Sequence, residues 1–313
     1  MARGEDRFAL RVACGSYLLA TSMARQQGDA ERRKKMQKVI TIKREAIAET
    51  FPRRFNRPPS AREARVALVS GRWSDRERLG FVIEMAFTYP FLPYELKIDS
   101  DNFTRALVEL AGVVGVDESV VDEIESVKED AEKELKHSSA LRKLALGGGV
   151  LAGVAIIAAA PYAVPALGVA TSAATGGAAA TAHGLALLGG GSLAAGGTGM
   201  AGGMAVISAA GAGAAGMAGL SARGLINELS PEAVEVQLVK TMVAFALIDE
   251  PKGGAEAILQ ELDEECDDLA RTLERERGLN EKRAGRVRDL ERKFDSYRRA
   301  IAWMERVASS EPN

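Results

Sequence analysis

The chain has 313 residues, of which 47% are apolar and 27% charged, and its net charge is −2. Its two cysteines, Cys14 and Cys266, lie far apart with no CxxC spacing or histidine beside them (the histidines are His137 and His183), which points to a reducing compartment and no metal site and leaves a disulfide between the two as the lesser alternative. The averages hide a partition: from Leu144 to Ala222 there is no Asp, Glu, Lys or Arg, a run of 79 residues with 20 of the 32 glycines.

The flanks are dense in charge. Residues 1–80 carry 19 basic against 9 acidic side chains, residues 81–143 carry 7 against 14, and residues 223–313 carry 15 against 20. The opening MARGEDRFALRVACGSYLL contains early acids and no long apolar stretch, so it does not read as a secretory signal. Three parts are expected: a helical soluble domain over 1–143, an apolar Gly/Ala-rich membrane hairpin over 144–222, and a helical, coiled-coil-like region over 223–313.

Phe8, Val12, Leu19 and Met23 make a first apolar helix face, and Met36, Val39, Ile40 and Ile47 make a second. FPRRFNRPPS breaks the pattern, because its prolines lack backbone donors and bias the preceding residues away from helix. Ser60 then caps a short helix. Ser74 with Glu77 forms a capping box that opens a helix burying Leu79, Val82, Ile83, Ala86 and Phe87, and YPFLPYE ends it. Asp117 is placed to cap a longer helix with Val120, Ile124, Val127, Ala131 and Leu135 on one side, aimed into the uncharged run.

Beyond that run, SPEAVEVQ places Ser at the cap and Pro in the first turn of a helix that ends near DEPKGG. Ile258, Leu262, Cys266, Leu269 and Leu273 share one face of the next helix. RGLN separates it from the last, with Gly278 suited to a left-handed cap and Asn280 to the following N-cap. In that last helix Val287, Leu290, Phe294, Tyr297, Ile301 and Met304 alternate spacings of three and four, a heptad seam that continues to Ala308. An antiparallel helical hairpin is expected, its seam filled either within the chain or by another subunit.

The uncharged run is longer than any soluble helix tolerates, while one membrane-spanning helix needs only about 20 apolar residues. Small residues recur every fourth position at Ala195, Gly199, Gly203, Gly211, Ala215 and Gly219, interrupted at Ile207. Such a stripe lets helix backbones approach closely in lipid, where apolar bulk gains little. Residues 144–169 form one limb, kinked at Pro161 and Pro165; 171–184 is a more polar turn; 185–220 form the second limb. Lys136, Arg142, Lys143 and Arg223 then place both termini on the cytoplasmic side of a cell inner membrane, or in the cytosol before insertion. Insertion is weakly driven: eight Leu, Ile and Val over 150–169 are worth only about −2 to −5 kcal/mol before glycine and proline costs. Burial of this hairpin under amphipathic helices, as a soluble core, is the alternative.

No chemistry is legible. GTGMAG (Gly197, Gly199, Gly202) and GAGAAG (Gly211, Gly213, Gly216) match a dinucleotide fingerprint, but no strand precedes them and the next acid is Glu228. GGSLA lacks the last glycine of a nucleophile elbow, and both histidines precede its serine. No catalytic residue, cofactor site or metal site is expected.

FTRALVELAGVVGVDESVVDEIESV, the charged helix after it, LRKLALGGGVLAGV and the Gly/Ala-rich limbs ending AGAGAAGMAG resemble the glycine-rich membrane region of the transmembrane-and-coiled-coil family that carries an α/β-hydrolase domain. The resemblance covers residues 103–225. It implies a membrane region alone, because a short helical end stands where that family has its hydrolase, and no catalytic residue carries over.

The expected protein is all-α: an amphipathic helical domain, a central membrane hairpin and a C-terminal hairpin. Its expected role is a non-enzymatic effector that enters the lipid bilayer, homo-oligomerises through the stripe and perturbs permeability, as a bacterial toxin or cell-suicide defence protein does. The alternatives are a membrane-anchored scaffold that recruits a protein partner through its C-terminal helices, and the soluble core just described. Arg25–Arg65 holds 13 basic against 5 acidic residues. This reads first as a solvated face and next as a contact for anionic lipid. Nucleic acid ranks last, since no recognition motif or aromatic interleaving accompanies the charge.

Overall fold

The computed structural model describes residues 2–88, 90–91, 96, 98–135, 231–248, 254–279 and 284–310. Helix makes up 83% of the interpretable residues and no strand occurs among them, so the fold is all-α. The first flank contributes α1 (Ala2–Gln26), α2 (Ala30–Thr50), α3 (Ala61–Val69), α4 (Asp75–Ala86), α5 (Ser100–Val114) and α6 (Ser119–Glu134). The second contributes α7 (Pro231–Leu247), α8 (Gly254–Leu279) and α9 (Ala284–Ser310). The expected membrane hairpin lies outside the described residues.

Side-chain caps set the helix starts. Ser60 Oγ accepts from the Glu63 amide at 3.2 Å while Glu63 accepts from the Ser60 amide at 2.8 Å, and Ser74 with Glu77 repeats the box on α4. Each box satisfies two orphan donors at once. Asp29 and Asp99 cap α2 and α5 by accepting from the third amide onward. Asp117 acts one step earlier than the spacing suggests: its carboxylate accepts from the Ser119 amide and hydroxyl, and the N-cap itself is Glu118. Those two bonds hold its carboxyl below the ordinary aspartate range. Gly115 ends α5 at φ 78°, where a Cβ would be strained. Gly278 does not take the expected left-handed position; α8 continues through it to Leu279.

α1 is the axis of the first flank and touches α2, α3, α4 and α5. Its expected single face is too narrow an account. Val12, Ala13, Cys14, Ser16, Tyr17, Leu19, Ala20 and Met23 are all buried, because small side chains between the large ones admit neighbours on several sides. Arg11, 2% exposed, ties the α3–α4 connection to this axis. Its guanidinium donates to the Arg72 carbonyl at 2.9 Å and lies 3.7 Å over the Trp73 ring. The second face behaves as read, with Met36, Val39, Ile40 and Ile47 all buried. α7 packs on α4, α6 and α9, so one continuous apolar core joins the two flanks.

Gly15 leaves room on α1 for two side chains of α4. A Cβ there would lie 2.5 Å from Phe81 Cζ and 2.9 Å from Met85 Sδ, both fully buried. Glycine to alanine inside a helix ordinarily stabilises by about 1 kcal/mol. Gly15→Ala is expected to reverse that sign and cost about 2 kcal/mol net, because overpacking a dense core costs about 1–3 kcal/mol or more. Gly112→Ala, where the new methyl meets nothing within 4 Å, should instead stabilise by about 0.5–1 kcal/mol. Opposite shifts in urea midpoint check the pair.

Candidate functional site

The small-residue stripe Ala195, Gly199, Gly203, Gly211, Ala215 and Gly219 lies outside the described residues. The heptad seam lies within them. Leu290, Tyr297, Ile301 and Met304 are buried, and Val287 and Phe294 are half-buried against the same core. α8 packs along this helix with Leu262, Cys266, Leu269 and Leu273 turned inward. Glu265 meets Tyr297 whereas Glu276, eleven residues further along α8, meets Arg286, eleven residues earlier on α9, so the two helices run antiparallel. Tyr297 Oη donates to Glu265 Oε2 at 2.9 Å inside this interface. The seam is filled from within the chain.

The unexpected geometry is on the adjacent side of α9, where Lys293, Ser296, Ala300 and Trp303 are also buried. Trp303 Nε1 donates to Asp130 Oδ2 at 2.8 Å, and Arg306 pairs with Glu134 at 2.8 Å, so this side holds the last turns of α6. Fourteen residues earlier on α9, Arg292 grips the first turn of α7. Its Nε and Nη2 donate to the two carboxylate oxygens of Glu235 at 2.7 and 2.8 Å, and its Nη1 pairs with Glu232. Glu134 lies ten residues before Leu144, and Glu232 ten residues after Ala222. One helix therefore holds both approaches to the uncharged segment, at points about 21 Å apart along its axis at 1.5 Å per residue.

Charge is arranged to make this anchorage firm. Desolvation opposes the Arg292 guanidinium, but its bonds and charge pairing with Glu235, then with Glu232, outweigh that and leave its pKa above the ordinary value. A second tie joins Lys240 of α7 to Glu84 of α4, whose carboxylate is 3% exposed. A bidentate Arg–carboxylate pair fixes angle as well as distance, which is what an anchoring contact needs. Nothing in the sequence singles out Arg292 in RVRDLERKFDSYRR. The available signal was the polar run Arg292, Ser296 and Arg299 beside a lone Trp303, next to the seam rather than opposite it.

Four reactive groups of the described residues, on Ser16, Lys43, Cys14 and Cys266, are buried. Lys43 Nζ donates to Ser16 Oγ at 3.1 Å, a pairing used by some hydrolases, yet both side chains are buried and offer substrate no access. Burial lowers the Lys43 pKa to about 7. The free thiols of Cys14 and Cys266 are pushed up by burial to about 12 and about 11, away from nucleophilic character. No group of His, Cys, Asp and Glu among the described residues could hold a metal. Among the same residues, no helix is long and apolar enough to cross a membrane. The chain matches no protein-family model, no curated protein and no solved structure.

Proposed function

We propose that this protein is a non-enzymatic membrane effector, in which the helical flanks carry the uncharged segment 144–222 to a bilayer and copies of that segment associate and perturb permeability. The observation that carries the reading is the segment itself: 79 residues without a charge, with small residues at every fourth position over most of its second limb. Such a composition is costly to leave in water and suits close helix packing in lipid. The anchorage on α9 supports it further, since a segment pulled into lipid needs firm attachment at both approaches. A cytoplasmic site of action, with defence by self-permeabilisation as the biological role, is part of the same proposal, as is the likeness to the glycine-rich region of the hydrolase-bearing membrane family.

The test is fractionation followed by dye release. The full chain should pellet with membranes, resist carbonate extraction and empty dye-loaded vesicles, whereas a chain lacking 144–222 should do none of these. Gly203→Leu, on the stripe, should abolish cross-linked oligomers and leakage even though it adds apolar surface; Gly202→Leu, off the stripe, should be milder. Equal effects at the two positions defeat the stripe. Carbonate-resistant binding without leakage supports the anchored scaffold instead, and a monodisperse chain indifferent to vesicles supports a buried core.

A further inference from the structure

The basic run of the first flank folds into a surface whose composition is not that of a merely solvated face. Between residues 53 and 72 there are six arginines and one acid, Glu63. Arg53, Arg54, Arg57, Arg62, Arg65 and Arg72 are all exposed. Glu63 offers little opposing charge, because it is occupied by the Ser60 cap and by Arg57 Nη2 at 2.8 Å. No other arginine of the six has an ion pair among the described residues. Val66 and Val69 lie among them, 55% and 43% exposed, and they are the exposed large hydrophobics of the described residues. Arg62, Arg65, Val66 and Val69 follow the spacing i, i+3, i+4, i+7 and so share the outer face of α3. Its inner face, Ala64, Ala67 and Leu68, is buried.

The surface is held in shape before anything binds. Arg44 donates from Nε to the Pro59 carbonyl at 2.8 Å, and Phe55 is buried, so the preceding loop is fixed to the body. Arg11 holds the other end through the Arg72 carbonyl.

We infer that the outer face of α3, with the arginine loop before it, is a binding surface for anionic lipid headgroups. Guanidinium groups match phosphate oxygens in bidentate geometry, and the two exposed valines among them suit a surface where phosphates border hydrocarbon. A nucleic acid would meet those arginines too, but it would call for aromatic stacking or a helix fitted to a groove. Here Phe55 is buried and Trp73 lies under Arg11. The inference goes beyond the insertion of 144–222 and does not depend on it: it places a peripheral, salt-sensitive contact on the flank.

The experiment is co-sedimentation of the full chain with phosphatidylcholine vesicles and with vesicles in which phosphatidylserine replaces roughly a third of the lipid. The phosphatidylserine vesicles should bind more tightly, and high salt should remove the difference. Each basic residue at such a surface contributes roughly a fivefold factor, so Arg62→Glu with Arg65→Glu should lower the partition coefficient by about 25-fold or more. Val66→Ser with Val69→Ser should lower it several-fold without changing the salt dependence. Lys34→Glu with Lys38→Glu makes the same charge change on α2, about 15 and about 9 Å along its axis from Arg44, the residue that meets the arginine loop; both lie beyond the Debye length of about 8 Å, so the effect should be smaller. All of these side chains are exposed, so unchanged thermal unfolding certifies each variant. The inference is overturned if the two vesicles bind equally, or if the α3 and α2 pairs behave alike. It is also overturned if a short DNA duplex displaces the vesicles and the α3 pair loses duplex binding instead. Carbonate extraction reads the insertion separately. A chain that is extracted yet keeps its Arg62- and Arg65-dependent preference loses only the insertion; a resistant chain with no preference loses only this surface.

Discussion

Arg292→Ala is expected to destabilise the protein by about 3 kcal/mol and to release the first turns of α7 from α9. Breaking a buried ion pair by removing one partner costs about 3–5 kcal/mol, because the remaining charge stays in low dielectric. Glu235 is that remaining charge, 2% exposed, while Arg292 is about one-third exposed, which places the loss at the lower end. Arg306→Ala makes a useful contrast. Its pair with Glu134 is largely in solvent, 58% and 32% exposed, and such pairs are worth about 0.2–1 kcal/mol. Replacing both members of the buried pair, Arg292→Met with Glu235→Leu, should recover much of the loss, since the buried carboxylate goes with its partner and only the contact to the more exposed Glu232 is given up. Urea unfolding gives the free energies, and limited proteolysis around residue 231 reports whether the anchorage itself has opened. If Arg292→Ala and Arg306→Ala are equally mild, α9 does not hold the second approach in the way described.

Much of the helical plan was legible because it is local. Ser60, Ser74 and Glu77 announce their caps within four residues, and Met36, Val39, Ile40 and Ile47 announce a face within four turns. The seam of α9 was legible for the same reason, and so was its antiparallel partner, since only four residues separate the two helices. What could not be read is long-range and polar. Asp130 and Trp303 are 173 residues apart, and Glu84 meets Lys240 across the whole uncharged segment. A charge looks solvated in a sequence until the fold decides otherwise. Glu84 follows two predicted inward positions by one residue, and only the arrival of α7 turns it into a buried partner. The breadth of α1 burial was missed for a related reason. Ala13, Gly15, Ser16 and Ala20 carry little hydrophobic signal, yet their small size is what lets α4 and other helices close on that side. Of the proposed functional residues, the stripe rests on composition and period alone, whereas the anchorage and the arginine surface emerged only once the flanks were folded.

The largest pH effect should come from Lys43. Burial is the leading cause that lowers its ammonium from 10.5 to about 7, and the Ser16 hydroxyl of α1 stands at 3.1 Å. Between those two values the unfolded chain keeps a proton that the folded chain has released, so stability rises with pH at up to about 1.4 kcal/mol per unit. The buried cysteines act in the opposite direction, but later. Folding holds Cys14 protonated to about 12 and Cys266 to about 11, so their loss of stability begins only above the free thiol value of 9.0. Among the described residues the window from pH 7 to 9 therefore isolates Lys43, and its contribution to the unfolding free energy should climb across it by about 2–3 kcal/mol before the cysteines turn the curve down. Asp29, Glu63 and Asp117 have lowered carboxyl pKa values and act only in acid, far from this window. Lys43→Met keeps the length of the aliphatic stem and removes the titrating group. It should flatten the rise and stabilise the protein at pH 7 by about 2 kcal/mol, the desolvation relieved less the cost of stranding one hydroxyl. Lys43→Ala would confuse the reading by opening a cavity. Chemical denaturation at pH 7, 8 and 9 of the wild type and of Lys43→Met decides the matter: parallel curves would show that the rise belongs to some other group.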